Sequence, residues 1–303
     1  MEKALSSTEN VRSRVTTVSQ RQQSESNKQQ KFIFRGIDME NLIDVLSLQT
    51  RVQENKSKRS NFTNYREIDK IGIVPRFLFE SAIKLELTSL TSASAAIIYH
   101  RFFKEASPSH YDKFLIATSS LYIATKIKDD PVNIRDVVNV THNLLNRNAA
   151  PLDLGEEYWS RRDAIVQAEL LITRMLKFNL CFEQPHKFLL CYLRTLQDWV
   201  GSSVWNSAPI AKVAMSFLQD FHHSPKILDY KVTHVAIGCL SLALQTYGIQ
   251  VPLTNESSES SMWYTSFVPE MNKKKQWQII EDIIEVYNNE LEIDKCQFSK
   301  NIS

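Results

Sequence analysis

The sequence predicts an all-α protein: two tandem five-helix bundles behind an amino-terminal extension. Three observations carry this expectation. Tyr111 to Lys126 (YDKFLIATSSLYIATK) and Tyr230 to Gln245 (YKVTHVAIGCLSLALQ) align without a gap. In both, apolar residues occur on more than one face at helical spacing and small residues fill the gaps, which marks a helix buried nearly all round. Their separation of about a hundred residues is too long for a solenoid repeat and suits a duplicated domain. Lastly, the chain has only six glycines and shows no series of alternating strands.

Taken in order, residues 1–72 form an extension. Met1 to Lys31 is rich in Ser, Gln, Thr and Asn, which predicts disorder, because so few apolar side chains cannot offset the entropy of ordering. Phe32 to Leu48 has the composition of a short helix, and Arg51 to Asn61 that of a linker. The Lys56-Ser57-Lys58-Arg59 cluster fits a solvated linker or a nuclear import signal. The first bundle spans 73–181. Pro75 suits a helix start, and Phe77, Leu78, Ala82, Ile83, Leu85 and Leu87 supply its buried stripe. Ser92 or Ser94 is placed to open a second helix that Pro108 ends. The first hub helix follows and breaks at Asp130-Pro131. A fourth helix is expected over Asn133–Leu145 and a fifth over Glu156–Lys177.

The second bundle spans 182–292. Pro185 and Pro209 open its first two helices, and the second hub comes next. A polar loop then runs from Val251 to Ser261, followed by a short helix at Trp263, Tyr264 and Phe267. The last helix is expected over Lys275–Leu291, and 293–303 reads as a frayed tail.

Composition narrows the function. At 43% hydrophobic and 23% charged the chain has the make-up of an ordinary soluble domain. A formal net charge of +2 gives no broad attraction to nucleic acid. Cys181, Cys191, Cys239 and Cys296 are single and widely spaced, so neither a zinc ribbon nor a disulfide framework is indicated; in apolar helical sequence a free cysteine acts as a small hydrophobe. The amino terminus lacks the apolar core of a signal peptide, no run reaches transmembrane length, and an intracellular protein is expected. There is no phosphate loop, metalloprotease motif, nucleophile elbow or kinase signature, and hence no catalytic, cofactor or metal site is expected. His100 and His234 suit core or boundary positions, and His222-His223 suits a helix end.

Two charges stand where charge is unexpected. Lys126 follows Tyr122 by four residues on the hub, and Glu169 lies between Ile165 and Ile172 on the fifth helix. Charges beside an apolar face are seldom buried unless paired. Either each reaches solvent along its stem, or the two pair on an exposed apolar face and bind a partner's backbone. The second hub has Gln245 where the first has Lys126.

The string LYIATKIKDDP resembles the end of the third cyclin-box helix, and AELLITRMLKFNL resembles the fifth. The chain is similar to the cyclin family over about Val74 to Leu291, most of all to the subgroup that partners cyclin-dependent kinase 10. The resemblance implies a non-catalytic subunit, nuclear or cytoplasmic, that binds and activates a cyclin-dependent kinase as a heterodimer, with no direct nucleic acid or membrane partner. It assigns partner binding to Lys126 and Glu169, with apolar contacts from Ile127, Phe178 and Leu180. Two departures stand out. Ile127 is followed by Lys128, Asp129 and Asp130 where cyclins usually carry two glutamates after an apolar residue. The first helix also lacks the MRAIL-type patch of cell-cycle cyclins. Two rival readings share the fold: a scaffold that binds without activating, and a TFIIB-type transcription factor, which usually brings a zinc ribbon and a basic face.

Overall fold

The computed structural model describes residues 63–147, 152–252 and 262–300, which contain ten α-helices and two 3₁₀ helices, without a strand. The first five helices are α1 (Ile73–Lys84), α2 (Ser89–Glu105), α3 (Lys113–Ile127), α4 (Ile134–Leu145) and α5 (Glu156–Met175). The remainder are α6 (Pro185–Val200), α7 (Ser202–Trp205), α8 (Ile210–Phe221), α9 (Val232–Thr246) and α10 (Lys273–Lys300). The 3₁₀ helices are Pro225–Asp229 and Trp263–Ser266. The expected helix in 32–48 and the basic cluster lie outside the described residues. Among those described, no helix is long and apolar enough to cross a membrane.

Both hubs are enclosed as their sequences require. Helix α3 packs against α1, α2, α4 and α5, and α9 packs against α6, α8 and α10. Ile116, Ala117, Leu121 and Ala124 are buried in the first core, and every residue from His234 to Leu244 is buried in the second hub. The Asp112 carboxylate starts α3 by accepting the N–H groups of Phe114 (2.9 Å) and Leu115 (3.4 Å). Asp129, at φ 51°, ends it, and the Asp130 N–H closes back on the Thr125 carbonyl at 3.0 Å.

Several boundaries differ from expectation, each for a local reason. Helix α2 starts at Ser89 rather than at Ser92 or Ser94, because the Thr88 hydroxyl accepts the Thr91 N–H. Ser92 and Ser94 instead donate back to the Ser89 and Leu90 carbonyls. The extension does not end at residue 72. Tyr65 and Ile68 belong to the first core; the Tyr65 ring meets Phe77 edge-on at 5.4 Å and its hydroxyl donates to Glu80. Among the described residues of the second bundle, the 3₁₀ turn Trp263–Ser266 stands where the first has α4. Cys239 is buried as a small hydrophobe, whereas Cys181 and Cys191 are exposed.

The largest correction concerns the carboxyl end, which is no frayed tail up to the end of α10. Ile293 is fully buried in the first core, within reach of Gly72, and Arg76 donates to Glu290 (3.1 Å) and Asp294 (2.7 Å). The stripe of Ile279, Ile283, Val286 and Ile293 thus runs on past Leu291, carrying α10 from the second bundle onto the first. Residues 301–303 lie outside the described residues.

The repeats also meet through histidines. His100 Nε2–H donates to the His222 carbonyl at 2.9 Å, and His222 Nδ1–H donates to the Leu218 carbonyl at 2.7 Å. The His186 ring stacks on His222 at 5.4 Å between centroids. Burial holds His100 down at about 4 and His222 at about 3, so both rings are neutral. Unfolding frees them to take protons. Stability is therefore greatest above about pH 6.5 and falls as pH drops toward the folded values.

Two outcomes are expected. Ile293→Ala lowers unfolding free energy by about 2–5 kcal/mol in urea titration, whereas a tail residue would change it by under about 0.5 kcal/mol. His222→Gln flattens the loss of stability below pH 6.5 by about 1.4 kcal/mol per pH unit; an unchanged slope would place the titrating groups elsewhere.

Candidate functional site

The carboxyl ends of α3 and α5 lie side by side, because the two helices pack along their length. Ser119 on α3 donates to the Ile165 carbonyl on α5 at 3.3 Å, which a bulkier side chain would prevent. This places Lys126 beside Glu169. The Lys126 ammonium is 2.5 Å from Glu169 Oε1 and 4.2 Å from the centre of the Tyr122 ring. Lys126 is half-exposed, and the Glu169 side chain keeps 20% of its surface. The ammonium has donors left over, and the carboxylate has acceptor sites left over. As an exposed pair it adds only about 0–1 kcal/mol to the fold. Its geometry leaves both ends able to hydrogen-bond a main chain laid across them.

The rest of the site follows from how α5 ends. The Lys177 and Phe178 N–H groups bond to the Arg174 and Thr173 carbonyls, both at 2.9 Å. This closure puts Lys177 (φ 52°) and Phe178 (φ 58°) in the left-handed region. Non-glycine residues pay about 1–2 kcal/mol each for that conformation. The turn throws Phe178 outward to 75% exposure and directs Leu180 back against the first core. Arg101 on α2 holds the loop by donating to the Asn179 carbonyl at 2.9 Å. Ile127 is partly buried beside the same core. Lys126, Ile127, Glu169, Phe178 and Leu180 thus all lie at the paired ends of α3 and α5.

The departures in sequence take on structural roles. Lys128 turns away from the ion pair, its ammonium 5.8 Å from the centre of the Phe182 ring. Asp130 accepts the Thr88 N–H (2.9 Å) and the Thr91 hydroxyl (2.8 Å), locking the end of α3 onto the start of α2. Those two hydrogen bonds, the Thr88 N–H first, hold its carboxyl below the usual range. Gln245, in the place of Lys126 on α9, buries its Oε1 without a partner among the described residues. Among the described residues no group of His, Cys, Asp and Glu is arranged to hold a metal ion. Sequence reasoning missed Tyr122 as a platform under Lys126, although the spacing of four was visible. It had no signal for the Lys177–Phe178 turn, since neither residue favours that backbone.

Residues 44–181 match the cyclin N-terminal domain. Cyclin-L1 of Xenopus laevis is 27% identical over 180 residues, covering 58% of this chain and 35% of its own. Cyclin pch1 of Schizosaccharomyces pombe is 25% identical over 182 residues, covering 59% of this chain and 51% of its own. The matches thus take in a third to a half of those relatives. Among solved structures, a chain of the yeast RNA polymerase II CTD kinase CTDK-1 complex superposes with a TM-score of 0.56 at 19% identity, over 73% of this chain and 66% of that one. The fold is the cyclin fold, and the likeness in sequence to the cyclin N-terminal domain is confined to residues 44–181.

Proposed function

We propose that the chain is a non-catalytic regulatory subunit that binds and activates a cyclin-dependent kinase through the paired ends of α3 and α5. One observation carries this reading: a half-exposed Lys126–Glu169 pair joins the ends of α3 and α5, in a segment similar to the cyclin N-terminal domain, and α5 leads directly into the outward Phe178. The relatives are themselves cyclins by name, and the similar solved chain comes from a kinase complex.

In this mechanism the site packs on the kinase helix whose glutamate must pair with the phosphate-anchoring lysine. That ion pair is required for phosphoryl transfer. A surface that binds only the inward position of the helix shifts the kinase toward its active state. Phe178, Ile127 and Leu180 supply apolar contact, while Lys126 and Glu169 fix register on main-chain groups. Residues 73–181 are then the kinase-binding box, with Tyr65, Ile68 and Ile293 as part of its core. Residues 182–292 form a second box that has Gln245 in place of the lysine and leaves the kinase to the first.

The finer identity proposed is a cyclin Q-like subunit paired with cyclin-dependent kinase 10 and acting in the nucleus or cytoplasm. Its support is the series of segments IIYHRFFKE, YDKFLIATSSLYIATK, EEYWSRRDAIVQAELLITRMLKFNL and QPHKFLLCYLRTLQDW, which run in the same order.

Co-expression with cyclin-dependent kinase 10 of the same organism, followed by pull-down and kinase assay, tests both levels. Lys126→Ala and Glu169→Lys are expected to weaken binding at least tenfold, about 1.4 kcal/mol, and to lower activity in parallel. Gln245→Ala should leave both unchanged. Binding without activation would favour a scaffold. Capture of a different cyclin-dependent kinase would keep the class and overturn the finer identity.

A further inference from the structure

The two hubs begin differently. In the ungapped alignment Asp112, which caps α3 with its carboxylate, corresponds to Lys231. Helix α9 therefore starts without a side-chain cap, and the Val232 and Thr233 N–H groups precede its first internal bonds, which run from His234 and Val235 to the Lys231 carbonyl. A lysine at this position adds positive charge to the positive end of the helix dipole.

Glu270 offsets part of that charge by pairing with Lys231, while other cations gather at the same end. A cavity of about 520 Å³ opens at this end, lined by Lys226, Lys231, His234 and Lys275 among others. Lys275 has only the Glu270 backbone carbonyl at 3.3 Å and, among the described residues, no carboxylate partner. His234 is only 5% exposed, and its Nε2 has no hydrogen-bond partner among the described residues. Asp229 and Asp282 also line the cavity, but both are engaged: Asp229 by Lys104 at 3.1 Å, Asp282 by Lys226 at 2.7 Å and by the Tyr230 hydroxyl. Lys226 further binds Glu285, and Lys231 pairs with Glu270 at 2.5 Å.

We propose that this end of α9 is a phosphate-binding site that takes a phosphoryl group, free or carried on a phosphorylated peptide. The group supplies the anion that the missing cap withholds. It accepts from the free N–H groups at the helix start and from the ammonium groups of Lys231 and Lys275. Burial first, then Lys275 and Lys231, hold the His234 imidazole below its usual range, with Glu270 opposing them. A dianion between these groups reverses that balance, so the ring gains a proton and Nε2–H becomes a donor. The site lies on the second repeat, apart from the proposed kinase surface, and stands or falls independently of it.

The test uses the full chain, with the histidine ring protons followed by NMR. Inorganic phosphate and N-acetyl-phosphoserine amide are titrated against chloride at matched ionic strength. A saturable shift of His234 and a rise in its pKa are expected with phosphate and absent with chloride. Lys231→Asp rebuilds the cap of the first repeat, and it should keep the thermal midpoint while weakening phosphate roughly tenfold or more. Lys275→Ala, at an exposed position, should weaken phosphate about threefold without touching the fold. Binding of the capped phosphoserine points to a phosphorylated peptide, and binding of inorganic phosphate alone points to the free anion. No saturable response to either, or a response unchanged in both variants, overturns the site.

Discussion

Everything else in the structure depends on enclosing two helices that have no solvent side. A helix buried all round accepts neighbours on every face only where its side chains are small. Ala117, Ser119, Ser120 and Ala124 meet that condition in α3, and Ala236, Gly238, Ser241 and Ala243 meet it in α9. Gly238 shows how tight the fit is: a Cβ there would lie 2.4 Å from Ile279 Cγ2 on α10. Enclosure leaves only the ends of a hub free to meet other molecules. Lys126 is such an end, and so is the uncapped start of α9.

The same constraint ties the repeats together. Helix α10 closes the second hub along its middle and then delivers Ile293 to the first core, with Arg76 holding Glu290 and Asp294 on the way. Glu290 is pushed up by burial, and Arg76 with His223 offsets part of that cost. In the same junction, neutral His100 bonds the backbone of His222. Gln184 and Gln219 reach across to the Leu90 and Ser89 carbonyls. Each of these cross-repeat hydrogen bonds fixes one helix against another, so the junction has a defined geometry. A rigid junction keeps α2, which carries Arg101, fixed against the loop that displays Phe178.

The hubs were legible because small residues among apolar ones, twice over, admit few alternatives. The starts of α6 and α8 were legible because Pro185 and Pro209 act locally. Lys126 and Glu169 were visible as charges on apolar faces, though pattern alone left them open between solvent and each other. Contributions decided by distant packing were hidden. Tyr65 sits in linker-like sequence and Ile293 is a single apolar residue after a polar run; only the fold shows that both enter the first core. The strained turn at Lys177 and Phe178 was hidden for the opposite reason, since tertiary contacts impose it against local preference.

The central claim is that the ends of α3 and α5 form the kinase surface while the matching end of α9 does not. Hydrogen–deuterium exchange of the full chain, with and without its kinase, tests this without mutation. Exchange slowed by the kinase across residues 122–130 and 169–180, with residues 239–247 unchanged, is the predicted result. Protection centred on the end of α9, or none at the ends of α3 and α5, would contradict it.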